Sequence, residues 1–303
     1  MIAFGTDFAS AQNYPNKLIR IVTATAGSAN DWSSRLLAQE LTASLGQQVI
    51  VENRGGLGAE VVARASPDGH TLLAYGSAVW LMPFLRENVP WDPIRDFAPV
   101  TLAMSSPNIV VVHPSLPVKS IRDLIAFAKL RPGQLNYAAG TIGASPHLST
   151  ELFKAMAQVD LVRVGYKGTG PSVIALVGGE VDLMFAGLGT VAPHIKTGRL
   201  RALAVTSAQP SALAPGLPTV AATLPGYEAT SLLGVFVPAK TPQATINRLH
   251  QEIVRAVNKP EVKELLFSAG VDVVGSTPEE LAAMVKLDMT RMGKVIKDAG
   301  IHE

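Results

Sequence analysis

The sequence predicts an α/β protein of two lobes, joined by two extended crossings with a ligand cleft between them. Three observations carry this expectation. Short apolar runs alternate with helical patterns through most of the chain, which argues for mostly parallel sheets with helices on both faces. Two segments break that rhythm, "FAPVTLAMSSPNIVVVHPSLP" at 97–117 and "PGYEATSLLGVFVPAKTP" at 225–242; both are extended, with no helix between their apolar parts. At 303 residues the chain also exceeds the usual size of one domain. Two crossings between α/β lobes make a hinge. The expected lobes are 13–103 plus 226–303, and 104–225.

The elements follow in order. "LIRIV" opens a strand over 18–23, and Leu37, Leu41 and Leu45 recur at the four-residue spacing of one helix face over 31–45. Asn30 or Asp31 is the expected N-cap. Apolar runs predict strands at 48–52 and 71–75 around a helix at 58–65. An apolar run at 108–113 ends in His-Pro and leads to a helix at 120–130. "LNYAAGTIGASPHLSTELFKAM", 135–156, reads as strand 135–139, a Gly-rich loop, and a helix over 147–157 with Leu148, Leu152 and Met156 on one face. Ser145 suits its N-cap and Pro146 its first position. "LVRVGYKGTGPSVIALVGG", 161–179, repeats the design with a strand at 161–166 and a helix at 171–178 that Gly178 can end. Strands at 181–186 and 201–206 flank a helix at 191–197. After a strand at 233–237, helices are predicted at 242–258, 260–268 and 278–298.

Composition narrows the function. Hydrophobic residues make up 48% and charged residues 17%, which excludes a disordered or charged-tail protein. Net charge is only +2 and no Lys/Arg cluster interleaves with aromatics, so nucleic acid is not an expected partner. No apolar run reaches the roughly 18 residues of a membrane span. The absence of cysteine excludes disulfides and thiol chemistry, and it fits export to an oxidising compartment. Residues 1–12, "MIAFGTDFASAQ", read as a leader or signal remnant: "ASA" before Gln12 resembles a small-x-small cleavage site, without the positive start and apolar stretch of a full signal.

The strand–loop–helix junctions are where chemistry could reside. Each helix start leaves about four backbone N–H groups unpaired, with a partial positive charge from the helix dipole. Glycines let backbone approach a ligand closely, and Ser28, Thr141, Ser145 and Thr169 add hydroxyls. Such a site suits an anion, especially a carboxylate, beyond the carboxyl ends of the strands. The alternative is that the junctions are only turns. Catalytic patterns are absent: no G-x-S-x-G, G-x-G-x-x-G or Walker A run occurs. His147 and Glu151 have the spacing of metal ligands on a helix, but no third ligand is evident. Ser145 and His147 are too close in sequence to be read as nucleophile and base, and His147 is expected to support its loop or the lobe interior. Trp32 and Trp80 each follow a small-residue loop; core packing is the default for a Trp, and a stacking wall for a ligand is the alternative. No catalytic residue, metal or cofactor is expected.

These segments together resemble the substrate-binding proteins of tripartite tricarboxylate transporters, the Bug or TctC-like family. The resemblance runs from about Tyr14 to the C-terminus. It rests on "YPNKLIRIV", "GQQVIVENRGGLGA", "SPDGHTLL", "GTIGASPHLS", "YKGTGPSVIALVGGEVDLMF", "PHIKTGRLRALAVTS", "GLPTVAATLPGYE" and "VPAKTP", in that order. It implies a periplasmic, two-lobed binding protein of the type II class that closes around a small di-, tri- or aromatic carboxylate. It implies no enzyme, and delivery to the membrane permease subunits of the transporter; a monomer is expected. The ligand-binding positions it implies are Ser28, Ala29, Asn30 and Asp31 in the first loop, Ser77, and Thr141, Gly143, Ala144 and Ser145 in the second lobe, extended by Tyr166, Gly168 and Thr169; Trp32, His147 and Ala186 complete the expected ligand-binding set. Two departures matter. The family's "PFPPGG" loop reads "TATAGSAND" here, and an acid common after "VDLMF" is replaced by Ala186. Without that acid, and with Trp32 and Trp80 nearby in sequence, the expected ligand is a carboxylate without an amino group. Rival readings are a ligand sensor for a signalling receptor and a hydrolase or lyase using Ser145 and His147.

Overall fold

The computed structural model describes residues 14–140 and 142–302. The expected leader at 1–12 and Thr141 lie outside the described residues. The fold is a two-lobed α/β architecture. In the first lobe β1 (Ile19–Thr23) runs parallel to β2 (Val49–Asn53) and β3 (Thr71–Tyr75). In the second, β5 (Leu135–Ala139) runs parallel to β6 (Leu161–Gly165) and β7 (Leu183–Gly187). The two halves are joined by β4 (Phe97–Val112), 16 residues long. Its first part pairs antiparallel with β9 (Thr230–Pro238), from Phe97 opposite Pro238 to Pro107 opposite Thr230. From Asn108 onward it pairs antiparallel with β7 and β8 (Arg201–Val205). A two-residue strand, β10 (Asp272–Val273), adds to β4 at Met104 and Ser105.

This topology positions the site. Since β4 runs antiparallel to β7 and leaves the first sheet where it enters the second, the carboxyl ends of β1 and β3 and those of β5 and β7 all point at the junction between the lobes. The helices that follow start there: α1 (Ala29–Leu45) and α3 (Ala78–Leu85) from the first lobe, α5 (Ser145–Ala157), α6 (Thr169–Gly178) and α7 (Leu188–Lys196) from the second. The remaining helices are α2 (Gly58–Ala63), α4 (Ile121–Lys129), α8 (Gln243–Val257), α9 (Pro260–Ser268) and α10 (Pro278–Asp298).

Among the described residues one α-helix and one strand escaped sequence reading. In α3, "AVWLMPFL" is apolar all round and carries Pro83, so it has no amphipathic period; β10 is too short to leave a pattern. N-caps also differ from expectation. Ser28 caps α1, its Oγ accepting from Asp31 N, so neither Asn30 nor Asp31 is the cap. Ala144 occupies the cap position of α5, and Ser145 is already helical. In both cases the cap lies one or more residues ahead of the first polar residue that sequence reasoning chose.

Three apolar clusters hold the fold. One lies between the first sheet and α1 and α8, with Leu37, Leu41, Leu249 and Ile253 buried. A second lies under α6 and α7, around Val173, Leu176 and Val191. The third is shared between the lobes and joins Val22, Leu73 and Trp80 to Tyr137, Leu152 and Phe185. α10 closes that shared core, packing on β4, α3 and α5, and it buries Leu281, Val285, Met292 and Ile296. Each such fully buried side chain contributes about 1.5–3 kcal/mol. A capping box starts α10: Glu280 N donates to Thr277 Oγ1 and Thr277 N to Glu280 Oε2.

Candidate functional site

In the first lobe the loop between β1 and α1 is fastened from below. Asp31, 5% exposed, accepts from Gly27 N at 2.8 Å and from Asn53 Nδ2 at 2.9 Å, and lies 2.9 Å from Arg35 Nε. Asn53 also donates to Ala24 O. Burial alone would raise the Asp31 pKa, but the bonds from Asn53 and Gly27 and the Arg35 charge together hold it below the usual carboxylate range. Asp31 is thus spent on shaping the loop. The next junction meets this one: a Cβ at Gly76 would lie 3.6 Å from Asn30 Nδ2 and 3.0 Å from Leu232 O, so a side chain there would crowd the backbone of β9. Ser77, the residue before α3, makes no capping bond with its side chain.

In the second lobe the junctions also converge. A Cβ at Gly140 would sit 3.2 Å from the backbone of Gly168, which places the start of α6 against the loop before α5. Gly168 has φ +101°, a conformation that favours glycine. Arg163 donates to Gly140 O at 2.9 Å, and Tyr166 N to Ala139 O. His147, 3% exposed, accepts from Gly143 N through Nδ1 at 3.1 Å. Burial pushes its pKa down to about 4, against the opposing pull of Glu151, so the ring is neutral and able to accept. Glu151 is itself engaged, accepting from Tyr137 and paired with Lys154 at 2.9 Å. Ser145 Oγ accepts from Asn108 Nδ2 at 2.9 Å.

The lobes touch at these loops. A Cβ at Gly143 would come within 2.6 Å of Leu85 Cδ1 at the end of α3. Beside that contact lies a cavity of about 530 Å³. It is lined by Ser77 and Leu81 of α3's start, Ser145, Leu148 and Ser149 of α5, strand residues of β4 and β9, and Asp288 and Arg291 of α10. Trp80 is fully buried, and its Nε1 donates to Asp288 Oδ2 at 2.7 Å, so it is core and not a stacking wall. Burial raises the Asp288 pKa, with the Trp80 bond and Arg291 acting against it.

The structure therefore sorts the sequence-derived residues. It gathers Ser28, Ala29, Asn30 and Ser77 at the first lobe's strand ends, and Gly143, Ala144, Ser145, Tyr166, Gly168 and Thr169 at the second's. Ser77 and Ser145 line one cavity together. Ala186 is a correction: it is fully buried within the α6/α7 core, paired across from Ile109, and offers no surface to a ligand. Trp32, the fourth residue of α1, is 38% exposed. Asn53, Asn108 and Arg163, which set these loops, were missed by sequence reasoning because they lie on strands or strand ends, away from the loops they hold. Among the described residues no group of three His, Asp or Glu could hold a metal ion, no hydrogen bond joins Ser145 to His147, and no helix is long and apolar enough to cross a membrane.

Comparison with known proteins agrees with this geometry. Residues 33–301 match the family described as tripartite tricarboxylate transporter family receptor, TctC. The protein BugT of Bordetella pertussis is 33% identical over 299 residues, covering 96% of this chain and 92% of BugT. A Rhodopseudomonas palustris protein solved with adipate superposes with a TM-score of 0.83 at 33% identity, covering 95% of this chain and 98% of its own. MatC of the same organism, solved with bound malate, gives 0.81 at 28% identity, covering 93% and 100%. The chain belongs to the TctC family of tripartite tricarboxylate transporter receptors, which are solute-binding proteins and not enzymes.

Proposed function

We propose that this protein captures a small carboxylate in the periplasm and delivers it, as a monomer, to the permease of a tripartite tricarboxylate transporter. The observation that carries this is the convergence of Gly/Ser/Thr-rich helix starts from both lobes at one junction. Each start offers unpaired N–H groups and the positive end of a dipole. A micromolar ligand needs about 8 kcal/mol; four or five hydrogen bonds to a charged group, at roughly 1.5–3 kcal/mol each, supply that and offset carboxylate desolvation. The adipate and malate of the two R. palustris structures are of this ligand class. The lobes 13–103 plus 226–303 and 104–225 move about β4 and the entry to β9, so a ligand touching both halves favours the closed form. The test is native mass spectrometry of the purified protein together with thermal-shift screening of carboxylates. A bound acid, and melting temperatures that rise with its concentration, are expected; a co-purified neutral solute with no response to any acid would overturn the reading.

A further inference from the structure

Asn108 stands where β4 leaves the first sheet and enters the second. It is 1% exposed. Its backbone is held by Thr206, which accepts from Asn108 N through Oγ1 at 2.8 Å and donates its own N–H to Asn108 O at 2.9 Å. With the main chain fixed, the side chain reaches α5. Nδ2 donates to Ser145 Oγ and to Ser149 Oγ, both at 2.9 Å. An amide nitrogen has two protons and no lone pair to offer, so both are consumed and both serine oxygens act as acceptors. A hydroxyl that accepts still has its one proton to give. Among the described residues no acceptor takes the proton of Ser145 or of Ser149, and both serines line the 530 Å³ cavity between the lobes.

The rest of the lining makes this polarity matter. Arg291 is the cation of the cavity wall, and its guanidinium lies 3.6 Å from Asp288 and 3.9 Å from Glu228, so acids already face it. Asp288 in turn accepts from Trp80. Ser77, Ser105 and Gln209 also border the space, but the two α5 hydroxyls are the ones that a buried amide fixes as donors, and the dipole of α5 points the same way.

We propose that Asn108 is a specificity-determining residue: by donating to Ser145 and Ser149 it turns both hydroxyls into donors toward the cavity. The wall thereby accepts a carboxylate and refuses an ammonium at the same place. Asn108 is a positioning residue that acts through the serines. This rests on the carboxylate reading above and adds to it the residue that sets the sign of the recognised group.

The experiment is calorimetric titration with succinate, glutarate, adipate and malate, each beside an analogue in which an ammonium replaces one carboxylate. The readout is the affinity ratio within each pair, which a merely loosened fold would not shift. Wild type is expected to prefer the dicarboxylate. Ser145→Ala should weaken the dicarboxylate about tenfold, the loss of one charge-assisted bond, and weaken the amino analogue less. Asn108→Leu, which frees both hydroxyls to rotate, should lower the ratio in the same direction, and Asn108→Asp, which takes the serine protons, should lower it furthest. If the Asn108 variants do not fold, Ser145→Ala decides alone. A preference for dicarboxylates that survives unchanged in the variants overturns the inference while leaving the carboxylate reading intact. Failure of wild type to bind any of the four acids overturns both.

Discussion

Gly27 and Gly143 hold equivalent places in the two lobes, each in the turn before a helix that starts at the junction between the lobes, and each at φ +77°. Their surroundings differ. Nothing lies within 4 Å of a Cβ at Gly27, whereas one at Gly143 would meet Leu85 at 2.6 Å. The fastenings differ as well: a carboxylate, Asp31, accepts from Gly27 N, and a neutral imidazole, His147, accepts from Gly143 N. The same backbone device is solvent-facing and charge-held in one lobe, packed and neutral in the other. The first loop is tied to its own lobe with open space beyond it, while the second is built into the contact between the lobes.

Substitutions can break this contrast, and the largest effect is expected at Gly143. Gly143→Ala combines left-handed strain of about 1–2 kcal/mol with displacement of Leu85, which is 1% exposed; a total near 3 kcal/mol is expected in chemical denaturation, with weakened ligand binding. Next comes acidity. His147 titrates at about 4 in the folded protein, against an ordinary value of 6.5. The unfolded chain therefore takes up the proton first as pH falls, and stability present above pH 6.5 is lost on the way down to about 4. Between about pH 7 and pH 5 the loss should be near 2 kcal/mol, and His147→Gln should flatten that dependence; an equally steep profile in the variant would remove His147 as its cause.

Asp31→Asn should cost about 1–2 kcal/mol, since Asn53 and Gly27 lose a charged acceptor. The Asp31 contribution is present above the ordinary carboxylate range and is lost only as pH falls through its lowered value, so the two loops should loosen in sequence on acidification, the second lobe's before the first's. Hydrogen exchange at Gly143 and Gly27 reads that order directly. The smallest effect is Gly27→Ala, about 1–2 kcal/mol from backbone strain alone; a cost equal to that of Gly143→Ala would show that packing against Leu85 contributes nothing.

Periodicity made most of the fold legible. Leu37, Leu41 and Leu45 mark α1 because one face of that helix is buried and the other is wet, and the apolar strands announce themselves by burial on both faces. α3 was lost for the opposite reason, since "AVWLMPFL" is apolar on every side, exposed Pro83 and Phe84 included, and carries no period. Of the site, the loops were legible through their glycines and hydroxyls. The residues that orient them were not. Asn108 is 37 positions from Ser145 and Arg163 is 23 from Gly140, and such pairings depend on strand order, which no local pattern encodes. Ala186 was misplaced because a strand end looks open in sequence while α6 and α7 in fact cover it.

The apolar cluster that runs from Val22 and Leu73 through Trp80 to Tyr137 and Phe185 has a consequence for the molecule as a whole. Each half has an apolar cluster of its own, but this one is built from both, so heat should be absorbed in a single calorimetric peak, and a polypeptide severed between residues 103 and 104 should yield pieces that acquire full structure only in each other's company.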